Sequence, residues 1–380
     1  MKFKTTAEEF INAINKLSSV IPTRSTLPIL DNVLFELEGN KLVMLASDLE
    51  IFVRSSLEVE GKQDGRIAVD AKRLLNFVRT LKNEDLNIEE ADGSKLIVKT
   101  KKSKFTFPCE SADDFPLPEE NDLDNKISID GGLLKRFIGK VIHAVNTDAI
   151  RRNMSGVLFD IRKDQLRLVA TDGFRLGKII KENFDHPEIK DSKLVVPTKT
   201  CNLYLRLNEN QPADLMFNDN TIKFVFGDAE IISKLIDDTF PNYESVIPKD
   251  NDKTLKTNSS DIQQSLKRAQ IVADNITHRV KLEIKNDLLQ IKADNPEIGA
   301  EGEESIDCTF VSNDKSGENF DEKPFSIAFN AGFLLECLSQ IETEEVIMNF
   351  TTSSKAAIAV PTEQNENENF MELVMPVRIS

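Results

Sequence analysis

The sequence has no apolar run approaching the ~20 residues that a membrane helix needs. Its opening stretch, MKFKTTAEEFINAINKL, is charged and periodic where a secretory leader would be apolar. Cysteine is scarce and scattered: Cys109, Cys201, Cys308 and Cys337 form no CxxC pair and have no histidine at metal-ligand spacing. That pattern argues against a disulfide framework and predicts reduced, structural thiols in a cytoplasmic protein with no metal site and no membrane association. The three histidines, His143, His186 and His278, have no evident serine or cysteine partner, and no P-loop and no GxGxxG after a strand is present. No residue is therefore assigned a catalytic role. The expectation is a protein that is not an enzyme and needs no cofactor.

What is present is an ordinary globular composition. The 380 residues are 40% hydrophobic and 29% charged, enough for real cores and, at ~150 residues per domain, for two or three domains. The formal net charge is -16. Spread evenly, this would argue against nucleic acid, because affinity for DNA rests mainly on Lys and Arg neutralising phosphates.

The chain repeats itself three times. VLFELEGNKLVMLASD (33–48), VLFDIRKDQLRLVATD (157–172) and LEIKNDLLQIKADN (282–295) each read as an alternating strand, a polar turn and a second alternating strand, followed by an aspartate. The closing residues Asp48, Asp172 and Asp294 step by 124 and 122. A turn residue at equivalent places in three repeats is read as structural, not catalytic. IAVDAKRLLNFV, LVVPTKTCNLYL and FSIAFNAGFLLECL each join an apolar strand to a helical pattern, with Asp70, Pro197 and Asn330 at the junctions. A third anchor, Phe115, Phe240 and Phe370, closes each unit. Each unit opens on a helix-period segment, as in Leu133, Leu134, Phe137, Val141 and Ile142 on one face. The expected fold is α+β: three tandem helix-strands-helix-strands domains, at 1–122, 123–250 and 251–380.

Six helices are predicted, over 5–19, 70–81, 132–146, 198–207, 261–275 and 330–341. Their net charges are -1, +2, +3, +2, 0 and -1, a total of +5, which leaves -21 for the rest of the chain. Basic helices in an acidic shell suit a protein that meets DNA only on a helix-lined face. No cluster resembles a groove-reading motif, so contact is expected to be weak and independent of sequence.

TRSTLPIL (23–30), LVATDGFRL (168–176), SKLIDDTFPNY (233–243) and ELVMPVRIS (372–380) together make the whole chain, in order and in length, resemble the bacterial DNA polymerase III beta subunit family, the sliding clamps. The resemblance implies the DNA clamp fold in a head-to-tail dimeric ring, helices inside and sheets outside. Such a ring would act as a processivity factor that tethers the replicative polymerase. Twelve helices of ~10 Å diameter set side by side span roughly 120 Å, so their axes lie on a circle roughly 38 Å across with an opening of roughly 28 Å, enough for a duplex and a water layer. The implied partners are duplex DNA, a second copy of the chain, the polymerase catalytic subunit, the clamp loader and other clamp-motif proteins. The alternative is a monomeric three-repeat scaffold that binds protein without DNA.

Residue by residue, the resemblance implies a pocket for a short apolar motif at Met154, Thr171, Gly173, Phe174, Arg175, Leu176, Pro241, Val246, Leu373, Val374, Met375, Pro376, Val377 and Arg378. Phe174 stands where the family often has histidine, and Ser245 where it can have a basic residue, which bears on motif preference. DNA contact is implied for Arg24, Arg151, Arg152 and Asn153, the last two standing where the family can have aromatics, so that stacking is not expected there. The helix charge count adds Lys72, Arg73, Lys135, Arg136, Lys140, Lys199, Lys267 and Arg268. The ring junction is implied at Phe105 and Phe107, which alternation puts on one strand face, against Ile271 and Val272 of the other chain.

Overall fold

A computed structural model describes residues 1–380 apart from 23, 26, 82–83, 93, 120–122, 149, 187–188, 314–319 and 379–380. The expected domain boundary at 122 lies outside the described residues. Among the described residues there are six α-helices: Ala7–Leu17 (α1), Ala71–Val78 (α2), Gly131–Val141 (α3), Thr198–Leu207 (α4), Ser259–Val272 (α5) and Ala331–Leu338 (α6). Their starts are set by caps. Thr6 and Glu9 form a capping box ahead of α1. The side chains of Asp70, Asn258 and Asn330 accept hydrogen bonds from the first turns of α2, α5 and α6. Pro197 immediately precedes α4. Helix α1 then buries Phe10, Ala13, Ile14 and Leu17, an i, i+3, i+4, i+7 stripe. Several helices are shorter than their periodic pattern. The apolar period continues past Val141, but the chain tightens there into a 3-10 turn over Ile142–Ala144.

The three predicted hairpins are all antiparallel and share one register. Leu37 lies opposite Leu42, Ile161 opposite Leu166, and Ile284 opposite Leu289. All six side chains are buried, so the repeat seen in the sequence is a repeat of core packing. The closing aspartates are less uniform. Asp48 and Asp172 accept backbone hydrogen bonds that hold a turn. Leu49 and Gly173 take equivalent positive φ values of 79° and 91° there, which only glycine adopts freely. Asp294 instead lies within the strand Leu288–Asn295 and meets Arg279.

The chain forms two compact units, residues 1–135 with 199–235 and residues 136–198 with 236–380. Each is built on one long antiparallel sheet, of 13 and 12 strands. In the first, the strand Ala229–Lys234 of the second repeat pairs with Ile51–Glu58 of the first. In the second, Arg175–Glu182 of the second repeat pairs with Glu368–Val374 of the third. Each repeat is thus joined to the next by strand pairing, which leaves no open edge at the junction. The cores are aromatic at their centres: Phe3, Phe10, Phe35, Tyr204 and Phe224 in the first unit, Phe137, Phe159, Phe329 and Phe350 in the second. The four cysteines are free thiols. Among the described residues no helix is long and apolar enough to cross a membrane.

Candidate functional site

The segment TDGFR makes a tight turn because its side chains close on its own backbone. Asp172 Oδ1 accepts from the amides of Phe174 and Arg175 at 2.8 and 3.0 Å. Thr171 Oγ1 donates to the Arg175 carbonyl at 2.6 Å and accepts from Gly173 N at 3.1 Å. Arg175 is buried beneath the turn, with Nε 3.1 Å from Asp172 Oδ2, a second ion pair to Glu336, and its guanidinium 4.7 Å from the Phe333 ring. It therefore braces the turn. Phe174 is turned outward, 52% exposed, and stacks at 6.1 Å on Phe333.

The strand leaving this turn supplies a floor. Leu176 lies directly opposite Leu373, both buried, in a cluster with Leu158, Val169, Phe240, Tyr243, Ile358 and Met371. Beyond Val374 the strand ends. Met375 N donates to the Phe174 carbonyl at 2.8 Å and Val377 N to the Ala328 carbonyl at 2.8 Å, so the chain lies along the turn as a wall. Pro376, with no amide hydrogen to offer, sits between those two bonds. Pro376 and Val377 are half-buried and Arg378 is exposed. Met154 is buried in the 3-10 turn Arg152–Met154.

A second wall comes from the 3-10 turn Tyr243–Val246, preceded by the half-buried Pro241. Tyr243 reaches in to donate a 2.7 Å hydrogen bond to the buried Asp160. Arg162 bridges Asp160 and Glu244, and Arg167 also holds Glu244 at 2.7 Å. Burial alone would raise the Asp160 carboxyl, but the bonds from Arg162 and Tyr243 outweigh it and leave it below the ordinary range. Burial pushes the Tyr243 hydroxyl up to about 12. The network fixes the turn and leaves Val246 52% exposed. Phe174, Val246 and Met375 thus put exposed apolar surface around an apolar floor.

Arg151, expected at DNA, is drawn to this turn instead. Its Nη1 donates to the Asp172 carbonyl at 3.0 Å and its guanidinium lies 5.8 Å from the Phe174 ring. The arginine next to it, Arg152, is exposed. Sequence reading also missed Asp160, Arg162 and Tyr243. The available signal was an aspartate amid the apolar residues of VLFDI, which a buried partner had to satisfy.

The remaining cations divide. Arg24, Lys72 and Lys267 are exposed and, like Arg152, have no ion pair among the described residues. Arg73 is exposed with a long contact to Asp70 at 3.3 Å. Lys135 donates to the Asn208 carbonyl at the end of α4, Lys199 is bonded to Asp48, and Arg268 to Glu304. Two of these cations are held within the second unit. Arg136 is forked onto Glu368 at 2.8 and 2.6 Å. Lys140 is only 8% exposed, bonded to the Gln340 carbonyl and to Glu342. Both charges have acidic partners inside the second unit, which offsets part of the +3 on this helical segment.

At the expected junction positions, Phe105 (45% exposed) and Phe107 lie on the same side of the strand Lys104–Glu110, with ring centres 4.4 and 5.3 Å from Phe77. Ile271 on α5 is 81% exposed, while Val272 packs toward Gly302.

A chain of three like repeats whose sheets run from one repeat into the next has the architecture of the DNA clamps. Comparison with known proteins narrows the class. The N-terminal, central and C-terminal domains of the DNA polymerase III beta subunit match residues 1–119, 128–242 and 244–378. The chain is 30% identical to the beta sliding clamp of Pseudomonas aeruginosa and 28% to that of Vibrio cholerae, with all of each chain covered. The crystal structure of the P. aeruginosa DNA polymerase III subunit beta matches with a TM-score of 0.92 at 28% identity, and that of the C. crescentus beta sliding clamp with 0.90 at 27%, again over both whole chains. The chain belongs to the DNA polymerase III beta subunit family. Its function is that of a DNA sliding clamp, a replication processivity factor without enzymatic activity.

Proposed function

We propose that two copies of this chain, each with domains at 1–122, 123–250 and 251–380, close head to tail in the cytoplasm into a ring around duplex DNA. The cleft then accepts a short apolar motif from the polymerase catalytic subunit, the clamp loader and other clamp-motif proteins. The observation that carries the cleft assignment is the exposed rim of Phe174, Val246 and Met375 over the buried Leu176–Leu373 floor. Apolar rims of this kind mark docking surfaces, and methionine lets one surface fit several partners. The C. crescentus clamp was crystallised with polyethylene glycol in the region assigned to beta-motif tethering.

Ring closure is supported by two strand edges. Among the described residues, 104–108 pair only with the strand Lys95–Lys99, and 300–307 only with Leu288–Asn295. The first edge stands among Lys95, Lys101, Lys102 and Lys104, the second among Glu301, Glu303 and Glu304. Exposed edges of opposite charge favour pairing with each other over random association. The exposed Phe105 and Ile271 add apolar contact at the same two places. Arg24, Lys72, Arg73, Arg152 and Lys267 supply the weak phosphate contact. Retention on circular DNA, followed by release on linearisation, tests the reading. A particle of twice 42.8 kDa that leaves closed circles as fast as linear DNA would overturn topological linkage.

A further inference from the structure

We propose that His143, Cys337 and Glu372 form a buried binding site for a divalent cation of the zinc type. The three residues come from the 3-10 turn after α3, from α6 and from the strand Glu368–Val374. Their donor atoms lie within 4.8 Å of one another, and His143 Nε2 is 3.2 Å from Glu372 Oε2. Two ligands at ~2.1 Å from a shared tetrahedral ion stand roughly 3.4 Å apart, so this pair is already at ligand spacing. Closing the thiol onto the ion takes a side-chain adjustment of roughly 1 Å.

Two atoms in the cluster have no hydrogen-bond partner, Glu372 Oε1 and His143 Nδ1. Glu372 is fully buried, and buried carboxylate oxygens are ordinarily satisfied. The backbone packs closely beside them. Gly177 lies opposite Glu372 in the sheet, and a Cβ there would come within 3.1 Å of Glu372 Oε1, 3.2 Å of Val141 Cα and 3.4 Å of His143 Cε1. Its φ is not in the left-handed region, so the backbone does not demand glycine; the room does.

Charge and donor type agree. A thiolate and a carboxylate balance a divalent ion, leaving the neutral centre that burial requires. The nearby Arg175 is already paired with Asp172 and Glu336. Imidazole, thiolate and carboxylate together select zinc-like ions over magnesium or calcium, which take oxygen alone. Spacing along the sequence could not reveal the site, since its ligands are 194 and 35 residues apart. Occupancy would tie α6 to the strand that carries Leu373.

The test is titration of the full-length, metal-stripped protein with Co2+, then Zn2+. Tetrahedral cobalt bound by a thiolate gives intense visible bands and a near-ultraviolet charge-transfer band. The expected result is one equivalent bound with both features in wild type and in Cys308→Ser, displaced by one equivalent of Zn2+. Cys337→Ser should lose the charge-transfer band, and Glu372→Gln should bind at least tenfold more weakly. Zn2+ should raise the melting temperature of wild type and not of Cys337→Ser. A charge-transfer band that survives Cys337→Ser overturns the proposal. If Cys337→Ser does not fold, wild type alone decides: no band and no zinc-dependent stabilisation also overturns it.

Discussion

Removing Met375 to Ser380 should strip one wall from the cleft while sparing its floor. The cut belongs after Val374, because Val374 is itself buried and paired with both Arg175 and Ala357 in the sheet. Truncation there deletes the hydrogen bonds from Met375 N to Phe174 and from Val377 N to Ala328. At about 0.5–1.5 kcal/mol each, folding loses roughly 1–3 kcal/mol, a fall of roughly 2–10 °C in the melting midpoint. The protein therefore stays folded. An apolar anchor docked against Met375 loses the burial of about one aliphatic side chain, ~1.5–3 kcal/mol, which weakens binding roughly 10- to 150-fold. Fluorescence anisotropy with a labelled clamp-binding peptide, run beside sedimentation, measures both effects. Unchanged peptide affinity in a truncated protein that still sediments as wild type would refute the cleft assignment.

Ile271→Ala with Val272→Ala should give folded monomers by sedimentation at submicromolar concentration, with most of the effect from the exposed Ile271; a persistent dimer places the junction elsewhere. Lys140→Ala should lower the melting temperature and leave DNA affinity unchanged, because its ammonium is committed to Gln340 and Glu342, whereas Lys72→Glu with Lys267→Glu should weaken and flatten salt-dependent DNA binding. The reverse pattern would refute the division of cations made above. Asp160→Asn should destabilise at neutral pH. The folded Asp160 carboxyl titrates below its unfolded value, so its contribution is complete above the unfolded pKa of about 3.9 and is lost as pH falls through the lower folded value. Melts of both proteins from about pH 6 to about pH 3 should therefore converge on the acid side, and a constant gap between them would contradict the network.

Local pattern made the elements legible. Phe10, Ile14 and Leu17 announce α1, and the hairpin pairs such as Leu37 and Leu42 sit where alternation puts them, because both signals operate over a few residues. The long-range partners were not legible. Arg136 meets Glu368 and Lys140 meets Gln340 across 232 and 200 residues, so counting charges on their helix counted cations that are already neutralised. Arg151 is singled out by its match to a basic position of the family, and its hydrogen bond to the Asp172 carbonyl was not legible in the sequence. Alternation likewise shows that Arg175–Glu182 is a strand, and cannot say that Glu368–Val374 lies beside it. The TDGFR residues of the proposed cleft came from the family resemblance, and the turn they form is local, closed by Asp172 and Thr171.

The pairing of Leu176 with Leu373 also sets an order of events during synthesis. The two positions are 197 residues apart, and at ~5–20 residues per second a ribosome needs roughly 10 to 40 s to travel between them. Until residue 373 has been made, the strand Arg175–Glu182 is paired on one side only and lacks Leu373 opposite Leu176 and the wall that follows Val374. A nascent chain can complete the hairpins of its first repeat early, yet it has nowhere for an apolar motif to dock. Under the proposed cleft assignment, partner docking is reserved for chains whose translation has run past the third repeat.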